Sequence, residues 1–188
     1  MRKSLKSKVG IFPMPVLMIG TYNDDNTVNV MNAAWGAMLD INKVALNLTE
    51  THKTVKNIKK RGAFTVSLAD LNHITEADYF GIVSGNNVLD KFEKTNLTAT
   101  KSNFVNAPII EEFPVTMECK FIEFQDGENG IGVIGEIINT SVDEKYIDKD
   151  GNVDVASLNI IAYDPFNHGY YVVNEKVGNA FKDGRVLK

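Results

Sequence analysis

The sequence is poor in cysteine, in long apolar runs and in excess positive charge, and each shortage excludes a class of protein. Cys119 is the one thiol among 188 residues, so no intrachain disulfide can form and a disulfide-held secreted scaffold is excluded. No apolar run approaches the length that a membrane helix needs, which is about 20 residues. The net charge of -4 gives no general attraction for nucleic acid or anionic lipid. We therefore expect a cytoplasmic protein that binds neither a membrane nor a nucleic acid.

The N-terminus resembles an export signal at first sight, because basic residues precede the apolar run 11–19. However, Pro13 and Pro15 interrupt that run, and no small-residue cleavage site follows it. We interpret the segment as a proline-rich arm that enters a buried strand.

What is present is ordinary globular composition, with 44% hydrophobic and 23% charged residues, which suits one domain over residues 1–188. Apolar alternation and turn residues predict strands at 16–22, 27–31, 44–48, 63–68, 115–122, 131–140, 160–163 and 170–173. Short helices are predicted at 54–60, ended by Gly62, and at 75–83, with Ala77, Phe80 and Val83 inward. Many short strands and few helices predict a mainly β (α+β) barrel or sandwich and argue against a doubly wound parallel sheet.

Residues 130–135, Gly-Ile-Gly-Val-Ile-Gly, match the dinucleotide fingerprint G-x-G-x-x-G. That fingerprint works between a strand and a helix, whose N-terminus holds the pyrophosphate. Here Ile137 and Ile138 continue a strand. We interpret these glycines as positions that another backbone or a ligand approaches closely.

Patterns that suggest metal sites do not meet the requirements of one. The acidic loop 148–154 resembles part of a calcium loop, but its twelfth position holds Asn159 where a bidentate glutamate is needed. The three histidines and Cys119 share no metal-ligand spacing. Cys119 falls on the inward face of an alternating strand, which predicts a buried, inert thiol.

The segment 48–54, Leu-Thr-Glu-Thr-His-Lys-Thr, leaves an apolar strand and enters a helix. Free N–H groups at a helix start favour an anion, and hydroxyl, imidazole and ammonium donors surround this one. Two interpretations stay open on this segment alone. It is a phosphate site, or Thr51 simply caps the helix while Lys53 is solvated.

The earlier segment 29–36, Asn-Val-Met-Asn-Ala-Ala-Trp-Gly, leaves a strand and turns irregular. The small residues Ala33, Ala34 and Gly36 allow a flat ring to lie against backbone, whose N–H and C=O groups can meet the ring's polar edge. By itself, such a turn with one tryptophan is usually a packing feature.

Taken in order, these segments resemble the flavin reductase-like family of FMN-binding split barrels, and within it the flavoredoxins. The shared order is a strand, a hairpin, Asn-Val-Met-Asn-Ala-Ala-Trp, a second strand, and Thr-x-Thr-His-Lys-Thr before a short helix. Later landmarks agree at 78–81, 84–85, 90–92, 108–112, 117–119, 135–137 and 177–181. The resemblance runs from about Phe12 to Gly184 and rests on order and spacing, since no single motif is decisive.

The resemblance implies a six-stranded Greek-key split β-barrel with short flanking helices, a homodimer, and FMN near the subunit interface. The implied ring and ribityl contacts are Asn29, Asn32, Ala33, Ala34 and Trp35. The implied phosphate contacts are Thr49, Thr51, His52, Lys53 and Thr54.

Two further residues are assigned from the resemblance. Lys91 matches a lysine that approaches the cofactor, from its own or the partner chain, and Phe166 matches an aromatic that shields the ring. We expect Lys91 at the polar edge of the ring, where Lys91→Ala would lower the FMN reduction potential by removing Coulomb attraction to the reduced ring.

The implied function is that of an FMN-dependent oxidoreductase of the NAD(P)H:flavin reductase type, with NADH or NADPH as donor, or of an electron carrier that serves a redox partner protein. No side chain is expected to act covalently, since the flavin carries the chemistry. The alternatives are a non-enzymatic flavin-binding protein and an interaction module without flavin. Many relatives carry a histidine where this chain has Gly130, Ile131 and Gly132, which puts exchange with NAD(P)H in question and makes His168 a candidate replacement.

Overall fold

Short antiparallel strands make up most of the computed structural model, which describes residues 1–6, 8, 10–128 and 130–188. The strands are β1 Met14–Pro15, β2 Leu17–Tyr22, β3 Val28–Ala33, β4 Gly36–Asp40, β5 Lys43–Leu48, β6 Ala63–Leu68, β7 Ala99–Lys101, β8 Pro108–Ile110, β9 Val115–Gly127, β10 Gly130–Val142, β11 Ile160–Asp164 and β12 Gly169–Val173. The helices are α1 Lys53–Arg61 and α2 Ile74–Ile82, with 3-10 turns at Leu71–His73, Glu93–Thr95, Glu144–Tyr146 and Asp183–Leu187.

The main sheet has seven strands among the described residues, in the order β3-β2-β6-β9-β10-β5-β4. It begins at β3 and ends at β4, so the barrel is a split one, as predicted, but with seven strands where the resemblance implied six. The strand of this sheet that the sequence did not predict is β4, because residues 36–40 lie at the sheet edge and are mostly exposed, which leaves no alternation to detect. The short strands β1, β7 and β8, outside this sheet, were not predicted either. Among the described residues, a second sheet has the order β1-β11-β12, and β7 pairs with β8 in a third.

The hairpins follow the sequence pattern. In the β2–β3 turn, Asp25 Oδ1 accepts a hydrogen bond from the N–H of Thr27 at 3.0 Å. The β9–β10 hairpin has strands of 13 residues each. The turn predicted for it at 126–130 includes Asn129, which lies outside the described residues.

Both helices lie where they were predicted and pack on the β2–β3 hairpin. Helix α1 ends at Gly62, whose φ of 68° is left-handed and whose N–H bonds the carbonyl of Ile58 at 2.9 Å. In α2, Ala77 and Phe80 are buried as predicted. Val83, also predicted inward, is the extended residue that follows the helix and is half-buried.

Two apolar clusters form the core. The first joins α1 to the main sheet through Ile19, Leu46, Ile58, Phe64 and Cys119. The second joins α2 to β11 and includes Val16, Val30, Ala77, Phe80 and Ile161. The elements of the two clusters meet beside β3, between α1 and α2.

The glycines of residues 130–135 lie in strand β10, which confirms the interpretation of the sequence and excludes the dinucleotide fingerprint. A Cβ on Gly135 would lie 2.9 Å from Cε1 of Phe64, and closer still to its Cζ. A Cβ on Gly132 would lie 3.2 Å from Cβ of Gln125. The glycines therefore admit a core ring and a neighbouring strand.

The acidic loop and the thiol are structural. Asp148 Oδ1 accepts hydrogen bonds from the N–H groups of Asp150 at 2.9 Å and Asn152 at 2.8 Å, as in a solvated turn. Cys119 is buried as predicted, and burial together with the charge of Glu118 raises the pKa of its thiol to about 12. Among the described residues, no helix combines the length and the apolar character that crossing a membrane requires.

Candidate functional site

Two adjoining cavities open between β3, the start of α1, α2 and the β11–β12 hairpin. The larger has a volume of about 590 Å³, and its lining includes Asn32, Ala33, Ala34, Trp35, Asn47, Thr49, Asp78, Tyr163 and Tyr170. The smaller has a volume of about 200 Å³, and its lining includes Asn29, Lys53, Thr54, Ser84, Gly85 and Lys91. Both are lined by Met31, Asn32, His52, Gly81 and Ile82, so they form one continuous groove. Together they have the size expected of a cofactor site.

The N-terminus of α1 faces the smaller cavity without a side-chain cap. The residue at the cap position is His52, with φ -59° and ψ 140°, and its side chain makes no capping hydrogen bond to the described residues. The interpretation in which Thr51 caps the helix is therefore wrong. Thr51 is exposed, and its carbonyl accepts a hydrogen bond from Asn86 Nδ2 at 3.0 Å. The first N–H groups of α1 remain available to an anion.

His52 carries a buried donor or acceptor that the protein does not satisfy. Its Nδ1 atom is buried and has no hydrogen-bond partner among the described residues. Burial, and then the positive charge of Lys91, lower the pKa of this imidazole. Since buried polar atoms are almost always paired, this orphan nitrogen indicates a ligand with an oxygen at this point.

Lys91 is the second group that favours an anion at this point. The residue is only 2% exposed, and its Nζ donates to the carbonyl of Val83 at 3.0 Å, 5.7 Å from the ring centre of Phe80. It makes no salt bridge with the described residues. Burial lowers the pKa of its ammonium to about 8. A buried cation without a counter-charge is costly, and a phosphate in the smaller cavity would supply that charge.

The pH dependence of stability tests the burial of Lys91. The folded pKa of about 8 lies below the ordinary value of 10.5, so between these values the unfolded chain binds more protons and stability rises with pH. We expect the ligand-free protein to gain about 1 kcal/mol relative to Lys91→Met between about pH 7.5 and pH 9.5, after allowance for residual solvent screening. Urea unfolding of both proteins at each pH measures it. Because both proteins contain Cys119, the difference between their stabilities is free of the titration of that thiol. If the free energies of unfolding of the two proteins changed in parallel with pH, the prediction would be contradicted.

A buried polar network anchors the start of α1. Asn29 donates from Nδ2 to Thr54 Oγ1 at 2.9 Å and to Thr21 Oγ1 at 3.3 Å. Asn57 donates to the same Thr21 hydroxyl at 3.1 Å and to Asn23 Oδ1 at 3.0 Å. Asn29 therefore orients Thr54 at the cavity wall and fixes α1 on the β2–β3 hairpin.

The wall of the larger cavity combines small residues with aromatic ones. Ala33 ends β3, and Ala34 and Trp35 follow it. Trp35 is 52% exposed although it lines the cavity. Asn32 Nδ2 donates to the carbonyl of Ala77 at 2.9 Å and ties β3 to α2. A flat apolar ring could lie against this backbone, with polar groups at its edge.

Most of the site residues predicted from the sequence line this groove. They are Asn29, Asn32, Ala33, Ala34, Trp35, Thr49, His52, Lys53, Thr54 and Lys91. Two predicted residues, Thr51 and Phe166, are not among the described residues that line either cavity. Phe166 is in the β11–β12 turn and 45% exposed, because its N–H bonds Asp164 Oδ1 at 2.8 Å and this bond holds it in the turn.

Lys91 lies at one end of the groove. It lines the smaller cavity together with Lys53 and Thr54, and its approach to the polar edge of a flavin ring stays a prediction. Sequence reasoning missed the two aromatic residues of the hairpin, Tyr163 and Tyr170, which pair directly across β11 and β12. Each tyrosine lies one residue from the end of its strand at the β11–β12 turn. This equal spacing is the sequence signal that could have predicted a cross-strand pair.

Comparison with known proteins gives one consistent result. Residues 9–157 match the family described as flavin reductase like domain. Flavoredoxin of Desulfovibrio vulgaris (Miyazaki F) has a similar structure, with a TM-score of 0.92 and 35% identity over 98% of this chain and 100% of that chain. Flavoredoxin from Methanosarcina acetivorans gives a TM-score of 0.90 and 25% identity over 100% of both chains. An uncharacterized protein of Aquifex aeolicus (strain VF5) is 23% identical over 153 residues, 76% of each chain.

Proposed function

Because the chain belongs to the flavin reductase-like family, we propose that its two adjoining cavities hold one FMN molecule. The protein is then an FMN-binding oxidoreductase or electron-transfer protein. The observation that carries this proposal is the pair of buried nitrogen groups, His52 Nδ1 and Lys91 Nζ, beside the uncapped start of α1. A phosphate would satisfy all three features at once.

The two cavities match the two ends of the cofactor. The smaller cavity, with Lys53, Thr54 and Lys91, suits the phosphate, and the larger one, with Ala34 and Trp35, suits the ring. The flavin supplies the electron chemistry when it is bound. The chain binds and orients it: Asn29 fixes the hydroxyl of Thr54, and Asn32 holds α2 against the ring-side strand.

A separate question is which molecule gives electrons to the flavin. We propose that NADH or NADPH reduces the flavin, with a carrier that takes electrons from a redox protein as the second candidate. The glycines 130–132 favour the carrier, since no titratable side chain stands there. In both cases we propose that the chain works in the cytoplasm, in line with its single buried thiol.

One experiment separates these functions. The purified protein should carry the visible absorbance of an oxidised flavin, and its absence would leave only the interaction module. Rapid mixing with NADH and with NADPH in single turnover then measures bleaching of that absorbance. Bleaching by either nucleotide supports the reductase, and bleaching only by a reduced redox protein or dithionite supports the carrier.

We also propose a homodimer, which the exposed apolar residues of the chain support. The edge strand β4 and the turn after it expose Met38, Leu39 and Ile41, the last to 95%. The C-terminal arm, residues 174–188, exposes Val177 and Phe181, the latter to 97%. Exposed apolar groups on a sheet edge are typical of a surface that a second chain covers.

Charge on the edge strand should separate the subunits. We expect the double variant Leu39→Lys and Ile41→Lys to weaken the dimer by at least about tenfold, because two ammonium groups would have to lose water in an apolar interface. Sedimentation velocity over a concentration series measures this change. Asn103→Lys, in an exposed loop, is the matched control. A wild-type monomer, or an unchanged dimer in the double variant, would contradict the proposal.

A further inference from the structure

Tyr163 and His168 form a close pair between the larger cavity and the protein surface. Tyr163, on β11, lines the cavity, and its hydroxyl lies 2.6 Å from Nδ1 of His168. His168, in the β11–β12 turn, is exposed to solvent. One hydrogen bond therefore links a phenol inside the groove to an imidazole in contact with bulk water.

The turn between β11 and β12 is built to hold this imidazole in place. The buried Asp164 accepts from the N–H of Phe166 at 2.8 Å and from Asn167 Nδ2 at 3.0 Å, and its carbonyl accepts from the N–H of His168 at 2.9 Å. His168 has a φ of 60°, a left-handed conformation that few residues other than glycine, asparagine, aspartate and histidine adopt. The bonds to Asp164 stabilise this backbone conformation, in which the imidazole lies beside the hydroxyl of Tyr163.

The other phenol of the cavity wall has a different environment. Tyr170 lies on β12, with its ring centre 6.2 Å from that of Tyr163, and its hydroxyl donates to Asp78 Oδ1 at 2.9 Å. Burial, and then the bond to Asp78, raise the pKa of Tyr170 to about 12. The hydroxyl of Tyr170 therefore donates to a carboxylate, which accepts hydrogen bonds only. Tyr163 is paired instead with an imidazole, whose ring nitrogens can donate or accept a proton.

We propose that Tyr163 and His168 are a proton relay between bulk water and the larger cavity, an inference that rests on the proposed flavin site. Tyr163 is the residue in contact with the cavity, and His168 acts through it. When a group in the cavity takes up a proton, the O–H bond of Tyr163 breaks, and the proton on Nδ1 of His168 moves to the phenol oxygen and forms that bond again. Bulk water delivers a proton to Nε2 of the exposed ring, and exchange of the ring protons with water returns a proton to Nδ1. The steps run in reverse when electrons leave, and the pair itself is neither oxidised nor reduced.

The first test needs no flavin. In the flavin-free protein, ¹⁵N NMR of the histidine rings should show a hydrogen-bonded Nδ1 for His168, and Tyr163→Phe should shift that signal alone. Tyr171→Phe, which removes an exposed phenol from the same hairpin, should leave it unchanged. A His168 signal that does not respond to Tyr163→Phe would overturn the relay.

The second test follows protons and electrons separately. Protein reduced with dithionite and freed of excess reductant is mixed with ferricyanide, and flavin absorbance and a pH indicator are recorded together. We expect Tyr163→Phe to slow proton release about a hundredfold, with FMN affinity within about twofold of wild type. Tyr171→Phe should release protons at the wild-type rate.

His168 is tested by chemical rescue. Glycine and asparagine both tolerate the left-handed backbone, so His168→Gly and His168→Asn keep the turn. Both should slow proton release, and free imidazole should restore the rate in His168→Gly, which leaves a ring-sized gap. If wild-type protein binds no flavin, the proposed function and the relay both fail. If flavin binds and the variants release protons at the wild-type rate, or imidazole rescues neither, the relay alone fails.

Discussion

Lys91→Met should weaken FMN binding about a hundredfold and leave riboflavin binding nearly unchanged, because in the proposed binding mode the lysine contacts the phosphate, the one group that riboflavin lacks. Its ammonium is buried in the smaller cavity, makes one hydrogen bond to a carbonyl and has no carboxylate beside it among the described residues. Truncating one partner of a buried charge pair costs about 2–5 kcal/mol, much of it because the other charge stays buried and unpaired.

The same position changes the expectation for the reduction potential. At the polar edge of a ring, Lys91 would have favoured the reduced flavin directly. In the proposed binding mode Lys91 lies at the phosphate end, where its charge would act on the ring through a longer distance, so affinity should change far more than potential. Since removal of a buried, desolvated cation relieves the flavin-free fold, lost affinity in Lys91→Met would not reflect unfolding.

Fluorescence titration of flavin-free protein with FMN and with riboflavin measures both affinities. Lys60→Met is the matched control, because Lys60 is an exposed lysine on α1 that pairs with Asp24 at 2.8 Å. It should preserve the ratio of the two affinities. An FMN-to-riboflavin ratio in Lys91→Met equal to that of the wild type would place the phosphate elsewhere.

Gly135→Ala should lower the free energy of unfolding by about 2 kcal/mol through overpacking. The added methyl group would lie 2.9 Å from Cε1 of Phe64 and 3.3 Å from Cβ of Cys119, in the first apolar cluster. Phe64 is fully buried and cannot move its ring away without displacing other core residues.

A double-mutant cycle identifies the cause. Phe64→Leu alone should be destabilising, but combined with Gly135→Ala it should cost about 1 kcal/mol less than the sum of the single changes, because the smaller side chain makes room. Gly184→Ala, whose added methyl group meets no atom of the described residues within 4 Å, is the control. Denaturant unfolding of the four proteins measures the cycle, and strict additivity would rule out the clash with Phe64.

Local signals were enough to predict most of the fold and much of the site. Gly62 ends α1 because the chain adopts a left-handed conformation there. The isoleucines that follow the glycines of β10 correctly indicated a strand. The end of β3 and the start of α1 converge because β3 packs against both helices. Order along the chain was therefore a good guide to these residues.

The structure differs from the sequence pattern, or goes beyond it, where tertiary pairing decides. Strand β4 is defined by its register with β5, such as Ala37 opposite Ala45, and not by its own pattern. Tyr163 is placed at the cavity wall by its pairing with Tyr170 on one side and Met14 on the other, and Phe166, three residues later, is held in the turn by Asp164. The place of Lys91 depends on the path of the segment after α2, for which the sequence carries no periodic signal.

The strand order of the main sheet has a consequence for when the cofactor can be captured. Strand β5 pairs with β4 and with β10, which is made some 80 residues later in synthesis, and the Tyr163 wall follows later still. Contacts of such long range form slowly. While a ribosome is still adding β9, the residues around α1 have no closed groove to offer. Flavin loading is therefore an event of the finished chain, and a truncated translation product should remain colourless.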